Sequence, residues 1–230
     1  KRRVITHWVP GVPATDGAGV KLTRMIGTPQ LEMVDPFLML DRMDSDDPES
    51  YIAGFPDHPH RGFETVTIVQ DGLMRHKDSV GNEGVLGPGD VQWMTAGRGI
   101  IHSEIPEMIE GRLSGFQLWV NLPSHLKMTE PAYQDISAED IPHSIFEGGH
   151  ARVIAGTYGQ EKGPAIPKIE ARLLDIILKP DVSWSIEPPM NINLFICVYE
   201  GSIGAKDNLE RTQDIIAPAV LLFNGSGTVE

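Results

Sequence analysis

Short apolar runs alternate with turn residues along the whole chain. The 24 glycines and 18 prolines interrupt segments rich in β-branched and aromatic residues, a pattern typical of an all-β protein. Short helices fit the pattern only in 105–111 and 124–128. The pattern predicts strands over Glu64–Val69, Leu73–Lys77, Val91–Met94, Phe116–Asn121, Val153–Ala155, Leu173–Leu178, Asn193–Tyr199 and Ala219–Phe223.

One four-residue pattern occurs twice and divides the chain. The order Val-x-acid-Gly ends a strand run at 69–72 and again at 198–201, and a proline-led strand follows each turn, at Pro88 and Pro218. This repeat predicts two tandem copies of one β-barrel, the first over 1–135 and the second over 136–230. The first copy continues to about Pro123, whereas few residues follow Pro218, so we expect a truncated second barrel that lacks a C-terminal segment.

Composition narrows the classes of function. The formal net charge is −13 and the pI is about 5.0, which disfavours direct binding of nucleic acid. No apolar run of about 18 residues is present, so we expect no membrane span. The single Cys197 excludes an intrachain disulfide, indicates a reducing compartment and is expected to be a buried core residue.

Two pairs of polar side chains carry the candidate chemistry. One residue separates His58 from His60, and one residue separates His102 from Glu104. Residues i and i+2 of a strand point to the same face, so each pair can direct two donors at one point. We expect the two strands to face each other across a barrel, where the four side chains would bind iron, copper, nickel, manganese, cobalt or zinc. An octahedral ion would keep two positions open for substrate or dioxygen.

The carboxylate of this site has two candidates. Glu64 follows His58 at i+6, on the same face if the segment is extended, and Glu104 follows His102 at the spacing of a paired ligand. The carboxylate that does not bind the metal would orient an imidazole or take a proton. No histidine follows His150, so the second barrel cannot build the same site.

The remaining histidines are assigned to ordinary positions. We predict that His76, which lies between Arg75 and Lys77, faces solvent. Surface or core positions are expected for His7, His125, His143 and His150. Other enzyme classes lack support, since the chain has no nucleophile elbow, no P-loop and no dinucleotide fingerprint.

The blocks around the candidate ligands resemble a known family. His58-Pro-His-Arg-Gly-Phe-Glu-Thr-Val and Gly89-Asp-Val-Gln-Trp-Met-Thr-Ala-Gly-Arg-Gly-Ile-Ile-His-Ser-Glu104 are similar to the pirins, proteins of two tandem cupin (jelly-roll) barrels. The resemblance covers most of the chain and is strongest over 54–122. It implies an iron(II) site in the first barrel and no metal in the second. The implied ligands are His58, His60, His102 and Glu104, which favours Glu104 over Glu64.

The resemblance implies two classes of function. Several pirins are similar to quercetin dioxygenases, which use a non-haem metal to open the heterocycle of a flavonol. In that reading, Glu104 or Glu64 would be the general base that takes the proton of the substrate hydroxyl. Four apolar residues have two equally weighted interpretations, as walls of the substrate cavity or as ordinary core packing: Phe55, Phe63, Trp93 and Met94.

The alternative is an iron-dependent regulatory protein. Eukaryotic pirins resemble co-regulators of transcription factors, and some bacterial pirins are similar to modulators of metabolic enzymes. The redox state of the metal would then change the binding of a protein partner. We expect a cytoplasmic protein, which would also be nuclear if the source is eukaryotic.

Overall fold

The computed structural model describes residues 3–107, 111–189, 192–207, 209, 211–224 and 227–229. The prediction of an all-β protein is confirmed, because the only helices in these ranges are two short 3₁₀ turns, Pro48–Ser50 and Ala138–Asp140. Neither they nor any other described segment forms a helix long and apolar enough to cross a membrane. The strands are β1 (Val4–Pro10), β2 (Val12–Asp16), β3 (Val20–Ile26), β4 (Phe37–Ser45), β5 (Phe55–His60), β6 (Phe63–Asp71), β7 (Met74–Asp78), β8 (Glu83–Leu86), β9 (Val91–Thr95), β10 (Ile100–Pro106), β11 (Leu113–Asn121), β12 (Ala132–Ile136), β13 (His143–Phe146), β14 (Gly149–Ala155), β15 (Thr157–Tyr158), β16 (Glu161–Lys162), β17 (Leu173–Leu178), β18 (Phe195–Val198), β19 (Ser202–Lys206), β20 (Thr212–Ile216) and β21 (Ala219–Asn224).

Strands β2 to β12 form two sheets that pack face to face. The larger sheet has the order β12-β9-β6-β11-β4-β3-β2, and the smaller has the order β5-β10-β7-β8. Apolar side chains of both sheets meet in one buried cluster, which includes Val20, Leu22, Met43, Val69, Met74, Leu86 and Leu113. The two sheets therefore enclose an interior, and the smaller sheet forms one wall of it.

The larger sheet is covered on both faces. Its second face carries Val66, Trp93 and Leu118, which share a buried cluster with Ile154 and Val220 of the second half. Residues 64–69 of β6 form a continuous buried run for this reason. One face of β6 thus belongs to the interior of the first barrel, and the other belongs to the interface with the second half.

The second half is built from smaller sheets, with the orders β13-β14-β17 and β1-β21-β18, and from two hairpins. Strand β1 pairs with β21, so residues 4–10 complete the second half although the sequence repeat assigned them to the first barrel. The strands before the two repeated turns are arranged differently. In the first barrel β6 precedes the turn and is linked to β4 through β11. In the second half β18 precedes the turn, and among the described residues it lies in a different sheet from β17. The repeated turns do correspond, since Gly72 and Gly201 both adopt positive φ, at 89° and 70°.

The predicted strands occur in the structure with small shifts of their ends, but the two helix predictions are wrong where they can be checked. Ile105 and Pro106 continue β10, and residues 108–110 lie outside the described ranges. Residues 124–128 form consecutive turns, with the N–H of Leu126 donating to the carbonyl of Pro123. The predicted strand list omits β1 to β4, β8, β12, β13, β15, β16, β19 and β20, whereas β5 and β10 were predicted only as the strands that carry the two pairs of candidate ligands.

Candidate metal centre

The candidate ligands lie on two neighbouring strands. Strands β5 and β10 pair antiparallel in the smaller sheet, with His102 opposite His58 and Ile100 opposite His60. The expectation that the two strands face each other across the barrel is therefore wrong. Directly opposed residues share one face of a sheet, so a single wall of the barrel presents both histidine positions to its interior.

The three imidazoles converge through their Nε2 atoms. The Nε2 of His58 lies 2.9 Å from that of His60 and 3.1 Å from that of His102. All three donor atoms lie within 4.8 Å of one another. Two nitrogens bound to one ion at about 2.1 Å and at right angles would lie about 3.0 Å apart. The spacing of these atoms therefore fits neighbouring positions around an octahedral ion.

The surroundings hold the imidazoles in the form that binds metals. His60 and His102 are buried, and His58 is half-buried at the opening of the site. Burial, together with the neighbouring His102 and His58, lowers the pKa of His60 to about 3. Burial also lowers the pKa of His102. Neutral imidazole is the ligand form, so these two side chains need not lose a proton at neutral pH before binding an ion.

One backbone contact sets the tautomer of His58. Its Nδ1 lies 2.8 Å from the carbonyl oxygen of Pro56. A carbonyl only accepts, so Nδ1 carries the proton and Nε2 keeps its lone pair directed at the other two histidines. The Nδ1 of His102 is buried and has no hydrogen-bond partner in the part of the chain that the structure describes.

Glu104 adjoins the three histidines. Its Oε2 lies 3.9 Å from the Nε2 of His102, and its side chain is almost fully buried. The Oγ1 of Thr67 donates to Oε1 at 2.8 Å, and the Nε2 of Gln117 donates to Oε2 at 2.7 Å. Each carboxylate oxygen keeps a lone pair beyond these bonds, so Glu104 is oriented and still able to bind an ion or a proton.

The structure does not bring Glu64 to this cluster. The carboxylate of Glu64 accepts a hydrogen bond from the Oγ1 of Thr95 at 2.7 Å and lies 3.4 Å from the backbone nitrogen of Lys168 in the second half. Thr67 lies three residues further along β6 and points to the other face, toward Glu104. The position of Glu64 therefore supports neither the predicted role of base nor that of a group orienting an imidazole.

Aromatic residues cover the histidine cluster on one side. The ring centre of Phe63 lies 5.0 Å from that of His60, in agreement with the prediction that Phe63 lines the site. Trp119, which the sequence analysis missed, lies 5.2 Å from His60 and 4.7 Å from Phe63. The strand register would have revealed it, because Trp119 is opposite Thr65 on β6.

The other three predicted walls behave as core residues. Phe55 packs with the cluster between the two sheets, and Trp93 packs at the interface with the second half. Met94 is fully buried with Ala96 and Ile100 beside Tyr133. Phe55 and Met94 share the interior with the ligands, since Phe55 lies opposite Glu104 in the β5–β10 pairing and Met94 packs with Ile100 of the ligand strand β10.

The prediction that His76 faces solvent is wrong. His76 is 3% exposed, lies opposite Glu104 in the β7–β10 ladder and stacks on Tyr133 with 5.9 Å between ring centres. Its Nε2 lies 3.7 Å from the Oδ2 of Asp135. A polar residue of the interior was therefore hidden between two charged neighbours that point outward, Arg75 and Lys77.

The remaining histidines lie away from the centre. His7 and His125 are exposed, as expected for ordinary surface residues. His143 and His150 stack on each other in the second half, with ring centres 5.2 Å apart.

Two of the cavities on the described surface have linings that do not include the three histidines. The first, of about 250 Å³, lies beside the ligand strands and is lined by Asp57, Lys77, Asp78, Ser79 and Ile101. The second, of about 410 Å³, lies where β1 meets the second half, and its lining includes His7, Met33 and Phe223.

Comparison with known proteins identifies similar chains. A family profile described as Pirin matches residues 19–120. A pirin-like protein of Caulobacter vibrioides is 50% identical over 206 residues, which span 87% of this chain and 74% of that protein. A crystal structure named as quercetin 2,3-dioxygenase from Acinetobacter baumannii has a TM-score of 0.90 and 33% identity, and the match covers 99% of this chain and 82% of that one. A bacterial pirin of Escherichia coli in complex with nickel(II) shares the fold, with a TM-score of 0.70 and 18% identity over 96% of this chain and 95% of that one.

Proposed function

Because the chain belongs to the pirin family, we propose that it is a metal-dependent dioxygenase that opens the heterocyclic ring of a flavonol such as quercetin. The observation that carries the proposal is the convergence of three buried or half-buried imidazole nitrogens beside one oriented carboxylate. The similarity to a structure named as a quercetin dioxygenase supports the choice of reaction.

The residues fit a divalent transition ion, and we propose iron(II). His58, His60, His102 and Glu104 would hold it, a set of nitrogen and oxygen donors that also suits copper, nickel, manganese, cobalt and zinc. When bound, the ion supplies a Lewis acid that lowers the pKa of a substrate hydroxyl and a redox centre for dioxygen. The half-exposed edge of His58 would be the side from which substrate approaches.

Glu104 would take the proton of the flavonol hydroxyl onto a carboxylate oxygen. Thr67 and Gln117 hold the two oxygens in fixed directions, so the carboxylate does not have to reorient when the substrate arrives. Phe63 and Trp119 supply apolar surface beside His60, which excludes water from one side of the reacting group and offers aromatic contact to the substrate. Each of these roles belongs to a side chain that the fold holds in place.

Turnover of quercetin tests this function. Protein loaded anaerobically with iron is mixed with quercetin in air, and flavonol absorbance and carbon monoxide release are followed. We expect turnover by the wild type and by His125→Ala, an exposed histidine that is not one of the three clustered imidazoles, and none by His60→Ala. Unchanged absorbance with iron confirmed to be bound would refute the flavonol dioxygenase function.

The packing around the site favours a second candidate function. Met94 and Ile100 fill part of the interior next to the ligands. An interior filled by such side chains leaves less room for a flavonol and suits an iron-dependent, redox-responsive protein that binds a transcription factor or a metabolic enzyme. Partner binding that changes between ferrous and ferric protein, in the absence of flavonol turnover, would establish this function in place of the first.

A further inference from the structure

The second half of the chain reaches the first barrel through Glu64. This side chain is fully buried on the interface face of β6, and its partners come from both halves. The Oγ1 of Thr95, on the neighbouring strand β9, donates to Oε1 at 2.7 Å. The backbone N–H of Lys168 lies 3.4 Å from both oxygens. A buried carboxylate is thus shared between a strand of the first barrel and a segment of the second half.

That segment, residues 163–169, is fastened along its length; we call it the docking segment. The backbone of Ile166 exchanges two hydrogen bonds with the side-chain amide of Gln134 on β12, at 2.8 and 2.9 Å. The N–H of Ala165 donates to the carbonyl of Ile154 in the second half, at 3.1 Å. The docking segment is therefore held by its own half on one side and by Gln134 and Glu64 of the first barrel on the other.

The opposite face of β6 bears on the metal centre. Phe63, the residue before Glu64, packs its ring against His60 at 5.0 Å between ring centres. Thr67 holds Glu104 at 2.8 Å. Both side chains project from the strand whose other face Glu64 fixes, so a shift of β6 along the interface would move two contacts to candidate ligands, one at the start of the strand and one at its middle.

We propose that Glu64 is a positioning residue that transmits the docking of the second half to the metal centre. By binding Thr95 and the backbone of Lys168, it fixes β6 so that Phe63 and Thr67 meet His60 and Glu104 in register. The half of the chain without candidate ligands would in this way set the affinity of the half that has them. Partners that orient metal ligands change affinity by about 10- to 100-fold when removed.

Cobalt(II) binding tests the proposal without flavonol turnover. It rests on the proposed metal site, and it is read from the visible absorption spectrum and from the affinity for cobalt in competition with a chelator. We expect Glu64→Ala to weaken binding by about 10-fold or more and to change the spectrum. Glu64→Gln keeps an acceptor for Thr95 and Lys168 and should restore most of both. Asp207→Asn, which loses a buried carboxylate elsewhere in the second half, should leave both unchanged.

Gln134→Ala supplies an independent test if Glu64→Ala does not fold, because it loosens the docking segment from a half-buried position. It should weaken cobalt binding in the same direction and speed hydrogen exchange in residues 163–169. Wild-type affinity and spectrum in both Glu64→Ala and Gln134→Ala would overturn the role of Glu64. A wild-type protein that binds no cobalt would instead refute the metal site, and the positioning role with it.

Discussion

Replacing Thr67 by Val should weaken the protein at a defined contact. The hydroxyl is buried, donates to the Oε1 of Glu104 at 2.8 Å and lies 3.1 Å from the Oε1 of Gln117. A hydrogen bond to a charged group contributes about 1.5–3 kcal/mol, and Val keeps the volume while removing the donor. We expect metal-free Thr67→Val to lose about that free energy of unfolding. With a denaturant slope of about 3 kcal/mol/M, the urea midpoint falls by about 0.5–1 M.

Thr65→Val is the matched control. Thr65 is equally buried and lies two residues away on the same face of β6, but it makes no hydrogen bond to Glu104. Urea unfolding of the two variants and of the wild type, all stripped of metal, isolates the contact. Cobalt affinity should fall by about 10-fold or more in Thr67→Val alone. Equal midpoints and equal affinities for the two variants would refute the idea that Thr67 orients the carboxylate.

Three further outcomes follow from the packing of single groups. Since the pKa of His60 is about 3 when folded and about 6.5 when unfolded, metal-free protein should lose stability as pH falls from 6.5 to 3, by up to about 1.4 kcal/mol per pH unit, and His60→Gln should flatten the curve of unfolding free energy against pH. A Cβ on Gly84 would lie 2.5 Å from the Nε2 of His76, so Gly84→Ala should cost about 1–3 kcal/mol in thermal unfolding, whereas Gly87→Ala, with its nearest neighbour at 3.6 Å, should cost little. Cys197 is half-buried, and burial raises its pKa to about 12, so its thiol should react with a disulfide reagent more slowly in native than in unfolded protein; equal labelling rates would contradict this.

Two-residue periodicity accounts for what the sequence could reveal of the site. It placed His58 with His60 and His102 with Glu104, because each pair lies within one strand. The same rule failed for Glu64, since Gly62 adopts φ of +80° between β5 and β6 and ends the alternation that begins at His58. The prediction counted alternate residues from His58 to Glu64 across Gly62, although the alternation of β5 does not continue into β6.

Contacts between segments that are distant in the sequence could not be predicted from local patterns. The register that sets His102 opposite His58 depends on how β5 and β10 pair, and no local pattern fixes it. Trp119 and Gln117 reach the site only through the pairing of β11 with β6. His76 was within reach, because its charged neighbours alternate with it and an outward Arg75 implies an inward histidine.

The pairing of β1 with β21 gives the order of synthesis a consequence for folding. Ile5 meets Phe223 in that ladder, so β1 has to wait until β21 has been synthesised. At about 5–20 residues per second, translation of the intervening chain takes about 10–45 s. Strands β2 to β12 pair only among themselves and need no such delay. The first barrel can therefore fold during translation before β21 exists, while the β1-β21-β18 sheet closes only after β21 has been made.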